Sequence, residues 1–321
     1  MMMPAVTASR YSRLDWFLFV LLGFFWGSSY LFIKIGVDAG LPPFTLITLR
    51  LLFGFILLAT VVAIAREPLP RDPKTYGHLI VMGAVNIAIP FSLITWAELT
   101  VDSALAAILT APVPLFVIVI AAIFLRDERI TINRLAGLAV GFIGVAILVG
   151  FDPAAVAAGD LAGEIALIGA TLSYACGAVY ARRNIRGLRP MIPAVFQVGF
   201  ALTMVSVLAF VFERPIDVVS RITPEALFAV VWLGILGSGL AYLLFFRTLG
   251  RWGATRTSMV AYLLPVFGIT LGALVLREPI DTRLLVGTAL VIGGIALVNS
   301  KYGARPLFER GPANMESAKP R

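Results

Sequence analysis

A chain of 321 residues with 60% hydrophobic and only 14% charged residues lies outside the range of soluble domains, whose charged fraction is near a quarter. Its formal charge of +8 would suit a nucleic-acid surface if it were gathered in one place, but the Lys and Arg fall in corners between apolar runs. One cysteine, Cys176, and one histidine, His78, exclude an intramolecular disulfide and leave no Cys/His set for a metal.

A crossing helix needs roughly 20 mostly apolar residues to cover about 30 Å of hydrocarbon. The sequence offers ten such runs, near 16–36, 43–64, 77–97, 104–125, 132–150, 161–182, 190–212, 225–247, 255–276 and 283–299. No small-residue cleavage site follows the first run, which reads as a retained helix. With the N-terminus inside, twenty Lys and Arg lie in cytoplasmic tails and corners, five lie outside, and Arg50 sits within a span. That bias places both termini in the cytoplasm.

In the first span Trp26, Tyr30 and Lys34 are four apart and share one helix face. Tyr174 and Arg182 repeat the pattern in the sixth. The stripe is either a pocket wall or, for Lys34, an interfacial anchor snorkelling to water. The second span opens with Pro42-Pro43 and carries Arg50 two turns inside, where a charge must face the bundle interior. Arg50 either ties helix ends through carbonyls or Glu98, or touches substrate; its counterpart in the seventh span is Gln197.

Asn86 and Pro90 sit mid-way along the third span, and Gly234, Gly237, Gly239 and Tyr242 occupy the matching part of the eighth. Proline removes a backbone donor and bends a helix, so Pro90, Gly237 and Gly239 read as hinges. Pro114 in the fourth span and Pro265 in the ninth read the same way. Ser92, Trp96, Thr110 and Tyr262 add polar or amphipathic groups, each of which also suits simple helix packing. The fifth and tenth spans carry Gly137 with Gly144 and Gly287 with Gly294, the mark of closely packed helices.

The stretch 104–149 recurs at 255–299 with the same punctuation. Pro114, Phe116, Leu125 and Arg126 match Pro265, Phe267, Leu276 and Arg277; after a one-residue slip Glu128, Gly137 and Gly144 match Glu278, Gly287 and Gly294. This is an internal duplication. Five spans per copy is an odd number, so the second copy inserts upside down. The expected fold is an all-α integral membrane protein, ten transmembrane helices as two inverted five-helix repeats: 1–14 a cytoplasmic tail, 15–150 the first repeat, 151–300 the second, 301–321 a cytoplasmic, disordered tail. Such pairing characterises secondary transporters. No Gly-x4-Gly-Lys-Ser/Thr loop is present, no cofactor is called for, and no acidic pair lies deep in a span to relay protons. Glu128 and Glu278 read as corner residues that cap or pair locally.

With Trp26-Gly27-Ser28-Ser29 and Lys34, Pro43 with Arg50, and Pro114 and Pro265 followed by Glu128 and Glu278, the chain resembles the drug/metabolite transporter superfamily, specifically its ten-span EamA-type exporters, over residues 15–300. The resemblance implies a central cavity lined by spans 1, 3, 4, 6, 8 and 9. Carried over by position, its lining is Trp26, Tyr30, Asn86, Trp96, Thr110, Tyr174, Tyr242 and Tyr262. It implies efflux of amino acids, related metabolites or drugs. The expected activity is secondary export of small amphipathic metabolites, foremost amino acids, through a bacterial cytoplasmic membrane, with small-molecule substrate and lipids as partners. A drug or nucleotide-derivative carrier is the alternative within transport; an enzyme acting on lipid-linked substrates is the alternative outside it.

Overall fold

Helix α1, Arg13–Asp38, begins where Ser12 accepts from the Asp15 amide and Asp15 accepts from the Ser12 amide, a reciprocal cap that satisfies two otherwise orphaned donors. Proline, whose missing N–H is no loss at a helix start, then opens α2, Pro43–Ile64, and α3, Pro73–Ala97. There follow α4, Ser103–Phe124; α5, Ile132–Val149; α6, Ala162–Asn184; α7, Met191–Phe212; α8, residues 224–252; α9, residues 258–276; and α10, Thr282–Asn299. A short turn of helix, Pro215–Val219, precedes α8.

The computed structural model describes residues 12–124, 132–149, 161–185, 188–189, 191–252 and 257–299. The corner holding Arg126 and Glu128, and nearly all of both tails, lie outside the described residues. All regular structure among those described is helical. Seven helices, α1 to α4 and α6 to α8, are long and apolar enough to cross a membrane; Ile132–Leu148, Val260–Leu276 and Thr282–Val298 are shorter apolar helices.

Four helices are irregular inside. In α3 a π-helical segment, Ala84–Ala88, separates Pro73–Gly83 from Ile89–Ala97. In α8 a second one, Leu233–Leu240, separates Pro224–Trp232 from Ala241–Trp252. In α4 the α-helix pauses after Thr110 and resumes at Val113, around Pro112. In α9 a 3₁₀ stretch, Ser258–Tyr262, leads into Leu263–Leu271 and a π-helical Gly272–Leu276. Such segments shift the backbone ladder and recur at functional sites.

Helices α2 and α7 run antiparallel. Glu213, one residue past α7, accepts from the amides of Phe44 and Thr45 (2.9 and 2.7 Å) and from the Thr45 hydroxyl (2.8 Å) at the start of α2. At the other end Arg189, ahead of α7, pairs with Glu67, just past α2, at 2.7 Å. Helices α5 and α10 are antiparallel too, packed backbone to backbone through glycine. A Cβ on Gly294 would lie 2.5 Å from the Gly141 nitrogen, and one on Gly137 would lie 2.6 Å from the Gly294 carbonyl. The remaining contacts come in matched sets: α1 on α9 and α6 on α4, α2 on α8 and α7 on α3, α1 on α8 and α6 on α3. Exchanging each helix for the one five places away reproduces the pattern. One apolar core joins α1, α4, α6, α8 and α10; a second joins α2, α3 and α7.

Candidate functional site

Arg50 is buried, two turns into α2. Its Nε donates to the Ser238 hydroxyl (2.9 Å), and its guanidinium lies over the Phe91 ring, 4.1 Å from the centroid. Tyr174, Tyr242, Tyr30 and Glu98 are near enough to interact with it electrostatically. Among the described residues no carboxylate lies within ion-pair distance of it. A cation in an apolar interior without a counter-ion is strongly unfavourable unless hydroxyls, rings or a ligand compensate. Here hydroxyls and a ring do so in part, and neither Nη has a partner of its own.

Ser238 is presented by the π segment of α8, and glycine lets that segment come so close. A Cβ on Gly237 would sit 2.8 Å from the Ser29 hydroxyl, one on Gly239 2.5 Å from Leu57, and one on Gly234 2.4 Å from the Phe53 Cβ. The glycines read as hinges are therefore also required by packing, α8 against α1 and α2. Five helices away in sequence, the partner arrangement repeats: the Asn86 amide, in the π segment of α3, donates to Gln197 of α7 at 3.0 Å. The π segments of α3 and α8 are thus each latched by the polar residue of α7 or α2 that faces it, neutral in one case and charged in the other.

Trp26 is partly buried and faces the bundle, its ring 6.3 Å from Tyr242 and 5.4 Å from Phe245. The Tyr30 hydroxyl meets the Thr110 hydroxyl at 2.5 Å, just before the interruption in α4. Thr171 of α6 donates to the Leu109 carbonyl at that interruption (3.0 Å), and Ser173 donates to the Val85 carbonyl in the π segment of α3 (2.6 Å). Side chains of α6 thereby satisfy backbone groups that the broken ladders would otherwise leave bare. Tyr30, Tyr174 and Tyr242 are brought together around Arg50, and Trp26 packs on Tyr242. Asn86 belongs to the second latch, and Tyr262 lies on the edge of the larger core. Pro90 is the second residue past the first π segment, Pro265 is buried in α9, and Pro114 lies in the first turn after the α4 interruption.

Three expectations change. Trp96 is 48% exposed, the place of an interfacial ring at a helix end, away from the Arg50 cluster. Lys34 is held near the C-terminal end of α1, where its Nζ donates to the Glu98 carbonyl (2.9 Å) and pairs with Asp38 (3.4 Å). Glu278 does cap, but not locally: it accepts from the Ser103 amide and hydroxyl and the Ala104 amide at the start of α4, 2.8 to 2.9 Å away. Sequence reading missed Ser238, whose role follows only from the approach of α8 to α2.

Broken helices stitched by side chains, surrounding a buried polar cluster within an apolar bundle, define an integral membrane protein of the transporter class. The sequence matches the EamA-like transporter family over residues 15–150 and again over 161–300, and the chain belongs to that family. Among its relatives, the "Uncharacterized transporter YoaV" of Bacillus subtilis is 24% identical, covering 87% of this chain and 94% of that one. The "Probable amino-acid metabolite efflux pump" of Salmonella typhimurium is 26% identical over 88% of this chain and 94% of its own. The "Probable terminal-alkyne amino-acid exporter" of Streptantibioticus cattleyicolor is 27% identical over 91% and 95%. A crystal structure at 22% identity superposes with a TM-score of 0.62, covering 89% of this chain and 96% of that one, and shares the fold.

Proposed function

We propose that this protein is a secondary exporter of small zwitterions, amino acids first, in which two inverted five-helix repeats, 15–150 and 151–300, rock about the Arg50 cluster. The observation that carries the reading is the buried guanidinium of Arg50, which has no counter-ion among the described residues. A substrate carboxylate would supply what the protein withholds, through the two free nitrogens in a charge-assisted fork. Trp26, Tyr242 and Phe245 would receive the side chain, with Tyr30 and Tyr174 beside the polar end. The paired π segments would be the hinges, with Pro90, Gly237 and Gly239 setting their irregularity and Pro114 and Pro265 that of α4 and α9.

The antiparallel runs of α2 with α7 and α5 with α10, and the contact pattern that returns on exchanging halves, support a pseudo-twofold axis in the membrane plane. Ten crossings with both termini in the cytoplasm follow from that axis and the charge distribution. The names of the amino-acid-exporting relatives point the same way. The test is counterflow in proteoliposomes preloaded with a panel of amino acids, a nucleotide sugar and a lipophilic cationic drug. Exchange of labelled neutral amino acids, lost in Arg50→Gln, is the expected outcome; exchange of the cation alone, indifferent to Arg50→Gln, would overturn it.

A further inference from the structure

Glu98 follows the last turn of α3. It is fully buried, at 0% exposure, and neither carboxylate oxygen has a hydrogen-bond partner among the described residues. Other acids nearby are satisfied: Glu213 and Glu278 each accept three bonds as caps. Thr48 and Glu164 each leave one buried oxygen bare; Glu98 leaves a whole carboxylate.

The titratable groups that interact with it come from three sides. They are Tyr30, Lys34 and Asp38 on α1, Arg50 on α2 and Glu278 past α9; Asp102, ahead of α4, interacts with the same Lys34, Asp38 and Glu278. Lys34 does not bind the carboxylate, because its Nζ is taken by the Glu98 carbonyl and Asp38. Glu98 thus lies between the Lys34 rim and the Tyr30 and Arg50 cluster. A bare buried carboxylate is unfavourable by several kcal/mol unless it binds a proton or a cation.

We propose that Glu98 is the proton site of this transporter, its carboxylate holding a proton in one state and the ammonium group of the substrate in the other. The second half rests on the zwitterion reading above, in which the substrate carboxylate lies on Arg50. The same two oxygens serve both ligands, so they exclude each other. Loading substrate from the cytoplasm displaces one proton inward; release outside lets Glu98 take one from the external water. Each zwitterion leaving is exchanged for one proton entering, and no other reactant is consumed.

The test uses the full chain in lipid nanodiscs and has two arms. The first is the infrared carbonyl band of a protonated carboxyl, followed through a pH titration without substrate. Burial, and after it the neighbouring Glu278, push the Asp102 carboxyl up, so Asp102→Asn serves as the control. The band is expected to vanish in Glu98→Gln, a change of similar volume, and to persist in Asp102→Asn. A wild-type protein without the band, or a band unaltered in Glu98→Gln, would overturn the proton site. The second arm is the Kd of a counterflow-active amino acid against pH. Wild-type affinity should fall by about tenfold per unit on the acid side, as for one displaced proton, and Glu98→Gln should bind weakly at every pH. Wild-type binding that ignores pH would overturn the exchange. If no amino acid of the panel binds, the zwitterion reading fails, while the infrared band still decides Glu98.

Discussion

The π segments of α3 and α8 do the same thing with different residues. In α3 the segment Ala84–Ala88 is followed by Pro90 and latched by a neutral amide pair, Asn86 with Gln197. In α8 the segment Leu233–Leu240 is built on Gly234, Gly237 and Gly239 and latched by a cation, Arg50 on Ser238. One segment owes its irregularity to a missing backbone donor and the other to missing side chains. The duplication has kept a geometry and let its chemistry diverge, and the divergence puts a buried charge at this latch in the first half and a neutral amide in the second.

The comparison can be broken at its charge. Arg50→Gln makes the two latches alike, and if the cation holds substrate, affinity for a zwitterion should fall roughly 10- to 150-fold, the worth of about 1.5 to 3 kcal/mol for bonds to a charged group. Calorimetric or fluorescence Kd values measure this; an unchanged Kd would make Arg50 a latch and nothing more. The contrast in hinge chemistry is sharpened by Gly234→Ala beside Pro90→Ala. The first pushes a methyl to within 2.7 Å of the Arg50 carbonyl and should destabilise by about 1 to 3 kcal/mol, as overpacking does. The second removes a helix breaker and should leave thermal stability equal or higher while slowing transport. Equal melting shifts from both would show that the segments are held in the same way after all. The smallest effect concerns the aromatic wall that meets the charged half. Trp26→Leu keeps bulk but loses the ring contacts with Tyr242 and Phe245, about 0.5 to 1.5 kcal/mol. It should raise Kd a few-fold, and no change would move the substrate side chain away from α1.

Spans were legible because a membrane imposes length and hydropathy together: the run 43–64 is found as Pro43–Ile64 and the run 190–212 as Met191–Phe212. The glycine seam of α5 and α10 was legible because heptad-spaced small residues have few other uses. What could not be read is whatever depends on partners far along the chain. Glu213 and Glu278 cap helices 168 to 175 residues away, and no local pattern marks that. Glu98 looks like any acid at a helix end; only the covering helices deny it water. Proline and glycine announced irregular helices in α3 and α8, but the π geometry, and the part glycine plays in admitting Ser238 to Arg50, follow from packing. The side that Trp96 faces could not be read because a tryptophan near a span end fits a cavity wall and a membrane interface equally well.

The glycine seam also fixes an order of events at the ribosome. Ile132 of α5 is made about 150 residues before Thr282 of α10. At roughly 5 to 20 residues per second that is a wait of about 8 to 30 s. During that interval Gly137, Gly141 and Gly144 have no backbone to close upon and face lipid or whatever helix is at hand. The last described helix to emerge is the one that completes the seam, so the first repeat spends its youth unfinished, and a nascent chain that loses the 18 residues of α10 loses the closure of both halves at once.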